Sequence, residues 1–391
     1  MNNEKEFKDL PEGWKWARLE EVILYEQPQK YIVLAENYED KSGIPVLTAG
    51  KTFILGFTNE NFGICNNLPV ILFDDFTTDS RFVNFPFKVK SSAAKLLRAR
   101  DKNINLFYIF NAMQLIKLKP GSEHKRFWIS EYSRLSIPLP PLPEQQKIAE
   151  ILETIDNAIE KTDKIIEKYK RIKQGLMQDL LTKGIDENGN IRNEKTHKFK
   201  DSPFGRIPEE WEVVRLGEMG EIIYGERLNE YEYVEDGSSI VYGTTGIIAR
   251  TDKYIDVGEA IILPRKGSIN NKFYVKEGQK FFVIDTAFYV KFTKTEVYVK
   301  YIYYFLHQVN FELLNEATGI PSLNRENLKN ILIPLPPLPE QQRIAEILSQ
   351  IDKTIEKEEQ YKEKLKRLKQ GLMGDLLTGK FRVNHLVEEE E

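Results

Sequence analysis

Few residues in this chain could carry covalent chemistry. Ala49, Gly50, Lys51 and Thr52 look like the end of a phosphate-cradling loop. That loop needs a glycine separated by four residues from its Gly-Lys pair, and Pro45 stands there instead. Asp74 and Asp75, with Lys88 and Lys90 downstream, could be drawn as nuclease carboxylates, but acidic residues ending an apolar strand more often shape its turn. His124, His197, His307 and His385 are scattered, and with Cys65 the single cysteine no zinc-ligand spacing arises. The sequence has neither an Asn-Pro-Pro-aromatic tetrapeptide of adenine methylation nor a Gly-rich strand–helix loop for S-adenosylmethionine. What is left is hydrogen-bonding chemistry of the kind that reads base edges, carried by Arg, Lys, Asn, Ser and Thr on loops. In the first half the candidates are Thr48, Lys51, Thr77, Thr78, Ser80, Arg81 and Lys95. In the second they are Thr244, Thr245, Arg265, Lys266, Ser268, Asn270, Asn271 and Lys272.

Charge supports this only locally. The formal net charge of the chain is −4. Residues 81–102 nevertheless carry Arg81, Lys88, Lys90, Lys95, Arg98, Arg100 and Lys102 against Asp101 alone, and residues 265–300 carry eight Lys or Arg against Glu277, Asp285 and Glu296. Phosphate contacts need a basic face rather than a basic chain. A solvated surface is the competing account of both clusters. No disulfide can form within a chain holding one cysteine, which fits a reducing cytoplasm. No apolar run approaches the roughly 20 residues that span a bilayer.

The elements that must position these residues are declared by a duplication. Residues 137–182 and 333–378 align without a gap and are identical at 33 of 46 positions, both beginning IPLPPLPEQQ. A second pair, PEGWKWARLEEV at 11–22 and PEEWEVVRLGEM at 208–219, lies upstream. Each repeat reads as one long helix. Pro143 and Pro339 suit a first turn, and apolar residues then recur at spacings of three and four. The seam is Ile148, Leu152, Ile155, Ile159, Ile166, Ile172 and Leu176 in one copy, and Ile344, Leu348, Ile351, Ile355, Leu365, Leu368 and Leu372 in the other. Gly184 and Gly379 stand where helix caps belong. Gly175 and Gly371, inside the helices, suggest close backbone packing. A stripe this narrow needs a partner, and the other copy is the economical one. Parallel and antiparallel pairs both satisfy the pattern; the antiparallel pair relates the halves by a pseudo-two-fold repeat.

The expected fold is therefore α+β: two mixed α/β domains joined by two long helices in an antiparallel coiled coil. The boundaries are a first head over 1–136, a helix region over 137–185, a polar linker over 186–208, a second head over 209–332, a second helix region over 333–380 and a disordered acidic tail over 381–391. In the heads, 69–76 and 81–89 read as strands and 106–116 as a helix; 258–268, 272–278 and 280–292 read as strands and 297–311 as a helix. Trp14 and Trp211, shared by both copies, suit core packing.

These repeats carry a resemblance. PLPPLPEQQ leading into a long helix that ends QGLM-x-DLLT, present twice, is similar to the specificity subunits of Type I restriction–modification systems, and LPRKGSINNKFYV and ATGIPSLNRENLKNI are similar to segments of their heads. The resemblance implies two target-recognition domains, each reading half of a split, asymmetric site in double-stranded DNA, with the helices as a ruler between them. It implies no catalytic residues in this chain. Partners would supply the chemistry: two modification subunits that use S-adenosylmethionine to methylate adenine, and a restriction subunit that uses ATP and Mg. Left without these partners, the chain is expected to form homo-oligomers through its apolar helix surface. The alternative is a coiled-coil scaffold whose heads bind proteins rather than DNA.

Overall fold

The computed structural model describes residues 10–35, 42–50, 52–116 and 127–387. The chain divides into two compact units, residues 1–163 with 360–391, and residues 164–359. The division falls inside the two long helices, so each unit holds one head and a part of each helix.

The first unit runs β1 (Lys15–Arg18), α1 (Leu19–Val22), β2 (Ile23–Glu26), β3 (Ile44–Leu47), β4 (Ile54–Thr58), β5 (Val70–Asp74), β6 (Ser80–Val83), β7 (Lys88–Val89), β8 (Ala94–Ala99), α2 (Leu106–Gln114), α3 (Phe127–Ser130) and β9 (Ser136–Leu139), then enters α4 (Leu142–Leu180). One sheet has the order β2-β8-β5-β6 and the other β4-β3-β7. The apolar run at 81–89 is not one strand. Pro86, which cannot donate to a ladder, separates β6 in the first sheet from β7 in the second.

The second unit repeats this plan. Its elements are β10 (Phe199–Ser202), β11 (Gly205–Pro208), β12 (Glu212–Arg215), α5 (Leu216–Met219), β13 (Gly220–Tyr224), β14 (Ser239–Gly243), β15 (Gly246–Thr251), β16 (Asp256–Val257), β17 (Ala260–Pro264), β18 (Phe273–Val275), β19 (Lys280–Val283), β20 (Ala287–Phe292), α6 (Val299–Leu306), α7 (Arg325–Lys329), β21 (Leu332–Leu335) and α8 (Leu338–Leu376). The sheets are ordered β13-β20-β17-β18 and β15-β14-β19-β16, the same two orders with one strand added. The hairpins β3–β4 and β14–β15 even share a bulge, at Val46/Leu47 and at Val241/Tyr242.

Each entry strand closes on the strand before a long helix, β1 on β9 and β12 on β21. This explains the PLPPLPEQQ repeat. Gln145 donates to the Pro140 carbonyl at 2.9 Å and accepts the Asn105 N–H at 2.9 Å. Gln341 does the same with Pro336 and Tyr298, both at 2.8 Å. The preceding glutamates are clasps. Glu144 accepts the Trp14 indole N–H at 3.0 Å and two bonds from the Arg382 guanidinium at 3.0 and 2.7 Å. Glu340 accepts from the Trp211 indole at 3.2 Å and from both terminal nitrogens of Arg192. Each clasp is thus a buried carboxylate in charge-assisted bonds.

Two expected boundaries change as a result. The 186–208 segment is folded into the second unit through Arg192, the β10–β11 pair and the buried Ile207. The residues expected as a disordered tail include Arg382 and Val383, the latter 2% exposed in the first head's core; 388–391 lie outside the described residues.

Both long helices have 39 residues, or about 58 Å at 1.5 Å per residue. In the first unit, Asp156 and Asp163 of α4 pair with Lys369 and Lys362 of α8 at 2.6 and 2.5 Å. In the second, Lys170 and Lys173 of α4 pair with Glu359 and Asp352 at 2.8 and 2.6 Å. Residue numbers rise along one helix as they fall along the other, so the pair is antiparallel. The expected seam splits by function. Ile155, Ile166, Ile355 and Leu365 are buried along the helices, whereas Ile148 and Leu152 belong to the first head's core and Ile344 and Leu348 to the second's. Ile172 and Leu368 are 39% and 52% exposed, outside the seam. A Cβ added at Gly175 or Gly371 would meet nothing within 4 Å, so these glycines mark no close helix contact.

Candidate nucleic-acid interface

In the second head the candidate residues converge. The 265–272 loop joins β17 to β18 and is held from two sides. Asn271 donates to the Thr244 carbonyl at 2.9 Å, fixing the loop against the β14–β15 turn that carries Thr244 and Thr245. The Gly267 N–H donates to Pro321 O at 2.9 Å, and Leu323 N–H donates to Arg265 O at 2.8 Å. Gly267 has φ +88°, a left-handed conformation that favours glycine, and so permits the loop to reverse here. Lys266, Ser268, Asn270 and Asn271 are exposed. Asn270 is already engaged, donating to Glu312 at 3.0 Å.

The first head builds the equivalent site with other chemistry. Its β5–β6 loop is short. Asp74 accepts the N–H groups of Phe76 and Thr77 at 2.8 and 3.0 Å, capping the turn. Thr78 has φ +63°, the one non-glycine residue with positive φ among the described residues, a strain that a surrounding structure must sustain. Thr77 precedes it, and the half-buried Ser80 and the exposed Arg81 follow. The guanidinium of Arg81 lies 6.0 Å from the Phe53 ring, and Phe53 closes the β3–β4 turn by accepting the Thr48 N–H at 3.0 Å. The AGKT segment is therefore the tip of a hairpin rather than a loop opening a helix; Lys51 itself lies outside the described residues. Asp75 is fully buried and accepts the Trp128 N–H at 2.9 Å, a structural role.

Two candidates leave the interface because they are buried. Lys95 is 1% exposed, its ammonium bonded to Gln27 at 2.9 Å and to the Ser92 carbonyl at 2.5 Å. Lys272 is 5% exposed, with its ammonium 4.1 Å from the Phe311 ring centre, and burial pushes its pKa down to about 8. Part of the 81–102 cluster is spent inside the fold: Lys88 pairs with Glu60 at 2.6 Å and Arg98 with Glu26 at 2.7 Å, whereas Arg81, Lys90, Arg100 and Lys102 are exposed. Sequence reasoning passed over Tyr224 and Arg325. The Tyr224 ring lies 5.1 Å from the guanidinium carbons of both Arg265 and Arg325, and neither Tyr224 nor Arg325 sits in a local pattern that would single it out.

No group of three or more metal-ligating side chains occurs among the described residues, and no helix there is long and apolar enough to cross a membrane.

Comparison with known proteins agrees with this architecture. The sequence matches the family described as the Type I restriction modification DNA specificity domain twice, over residues 11–170 and 208–367. It is 32% identical over 365 residues to the specificity subunit of the Escherichia coli Type I restriction enzyme EcoR124I/EcoR124II, covering 86% of each chain. It is 29% identical to the MjaVIII specificity subunit of Methanocaldococcus jannaschii, covering 98% of this chain and 97% of that one. The fold is similar to the crystal structure of the Type I system S subunit from M. genitalium, with a TM-score of 0.66 over 96% of this chain and 97% of that one at 15% identity. With both repeats matched and a relative this similar along most of its length, the chain belongs to the Type I restriction–modification DNA specificity family.

Proposed function

We propose that this chain is the DNA-reading subunit of a Type I restriction–modification complex. Each head reads one half of a bipartite, asymmetric site, and the helix pair fixes the gap between the halves. The observation that carries this is a pair of heads with one topology and two different loop chemistries. At the end of the central strand stands a buried acid, Asp75, in the first head and a cation, Arg265, in the second. A shared frame with unlike residues at equivalent strand ends suits a site with unlike halves.

Catalysis then belongs to partners: modification subunits that methylate adenine with S-adenosylmethionine, and a restriction subunit driven by ATP and Mg. Support for two modification subunits comes from the helices. Ile165 and Ile172 are 40% and 39% exposed, and their counterparts Tyr361 and Leu368 are 51% and 52% exposed. The same apolar pair, seven residues apart and so on one helix face, therefore stands uncovered once in each unit. Reactions in this complex take place on chromosomal DNA, which places it in the cytoplasm.

The test is sequencing of DNA methylation in a host expressing this chain with its neighbouring modification subunits. The expected result is a motif of two short, unlike halves with a fixed gap, lost when the chain is deleted. Active modification subunits whose methylation does not depend on this chain would overturn the proposal.

A further inference from the structure

The second head holds two arginines against one tyrosine. The guanidinium carbons of Arg265 and Arg325 each lie 5.1 Å from the centre of the Tyr224 ring, so they stand within about 10 Å of one another. Tyr224 is 43% exposed and the Arg325 side chain 39%. The three residues come from the end of β13, the position after β17 and the start of α7, and the fold alone assembles them. Arg265 is pinned: its Nη1 donates to the Asp285 carbonyl at 2.8 Å. Arg325 is not. Its Nε is buried without a hydrogen-bond partner, and Glu326, the carboxylate beside it, is 3.8 Å away and bonded to Lys329 at 2.8 Å. The donors left to Arg325 are its two terminal nitrogens, the fork that fits the O6 and N7 of guanine. A cation–π contact with an aromatic ring helps hold a guanidinium in place before any ligand arrives.

We infer that Arg265 and Arg325, packed against Tyr224, are the guanine-reading element of the second head. This rests on the DNA-reading function proposed above. Phosphate is the competing ligand for two cations, and the comparison between heads argues against it. Strand register places Gln27 and Asp75 of the first head at the positions of Tyr224 and Arg265. Phosphates are alike in both half-sites, so contacts to them have no need to differ between the heads. Base contacts must differ. The cluster occurs where the two heads diverge, on the base-reading side of that division.

The experiment is methylation sequencing of the full complex carrying Arg325→Ala, Arg325→Lys or Arg265→Ala. A wild-type complex with no split motif refutes the function itself, whatever the cluster does. Given a split motif, Arg325→Ala is expected to relax one G·C position in one half-site, lowering discrimination there by about 10- to 100-fold. The other half-site and the gap should stay as they were. Arg325→Lys keeps the charge but loses the fork, so the same position should relax. An unchanged motif in both Arg325 variants overturns the inference. So does a uniform weakening at all sites with the salt slope reduced by about one, the mark of a phosphate contact. So does a wild-type motif in which one half lacks any G·C pair and the variants alter only that half. If Arg325→Ala abolishes methylation, Arg325→Lys decides: a relaxed position supports the assignment, and loss or no change overturns it.

Discussion

Burial sorts the cations of the heads into those that hold the fold and those free to meet a ligand. Lys88, Lys95 and Lys272 are all at most 5% exposed, and each satisfies its ammonium with groups from elsewhere in its own head. Lys272 has a measurable consequence. Burial lowers its folded pKa to about 8 from an ordinary 10.5. Between those values the unfolded chain binds more protons than the folded one, so stability rises with pH from about 8 to about 10.5, and below 8 the full cost of the buried charge is present. Lys272→Met should flatten that rise and raise the melting temperature at pH 7, while leaving the methylation motif unaltered. Thermal melts of the wild type and the variant from pH 7 to 10 check this; equal slopes would show that Lys272 is not the titrating group. The clasps make the opposite case, in which charge is required. Glu144→Gln removes the carboxylate that holds Trp14 and Arg382 together. Bonds to charged groups contribute about 1.5–3 kcal/mol, and Arg382 is 28% exposed and so partly compensated by water. A loss of about 2 kcal/mol is expected, or roughly 4–8 °C for a unit of this size. Calorimetry tests it, and Glu340→Gln should behave alike in the second unit.

At the scale of elements, the helices were legible and the heads only partly so. A long helix announces itself through 3.6-residue periodicity, its ends through proline and glycine, and its duplication through identity. Burial along it did not follow from the pattern. Ile148 and Leu152 continue the same stripe as Ile155, yet they pack into a head, because the helix is a head-core element at its start and a coiled-coil partner further along. In the heads, strand β17 was readable from the apolar run at its centre. The burial of Lys95 was not, since its partner Gln27 lies 68 residues away. The Tyr224, Arg265 and Arg325 cluster was hidden for the same reason: it joins three elements that are distant in sequence. The exposed helix pairs give a prediction of their own. Ile172→Glu and Leu368→Glu alter side chains already in contact with solvent, so stability should change by no more than about 0.5 kcal/mol. Each should weaken the binding of one modification subunit, and the double variant should release both. Mass photometry of the reconstituted complex reads the stoichiometry directly; a full complex with the double variant would place the partners elsewhere.

For the whole molecule the question is how a chain of net charge −4 holds a polyanion. Screening answers most of it, because at physiological salt charges separated by more than about 8 Å scarcely interact. The acidic residues elsewhere in the chain then matter little, and exposed cations such as Arg81 in the first head and Lys266 in the second matter much. Binding driven by such contacts must release counterions. For about six phosphate contacts, the slope of log K against log salt is about −5, a loss on the order of a thousandfold between 50 and 200 mM. Lys266 is exposed and belongs to the loop held between the β14–β15 turn and Ser322. Lys266→Ala should therefore reduce the slope by about one and weaken binding to matched and scrambled duplexes equally. Lys272→Ala, six residues further along the same loop but buried, should leave the slope alone. Fluorescence anisotropy of the reconstituted complex across four salt concentrations separates these outcomes. A slope near zero for the wild type would mean that its heads hold no phosphates, and heads that bind proteins would become the better account of the fold.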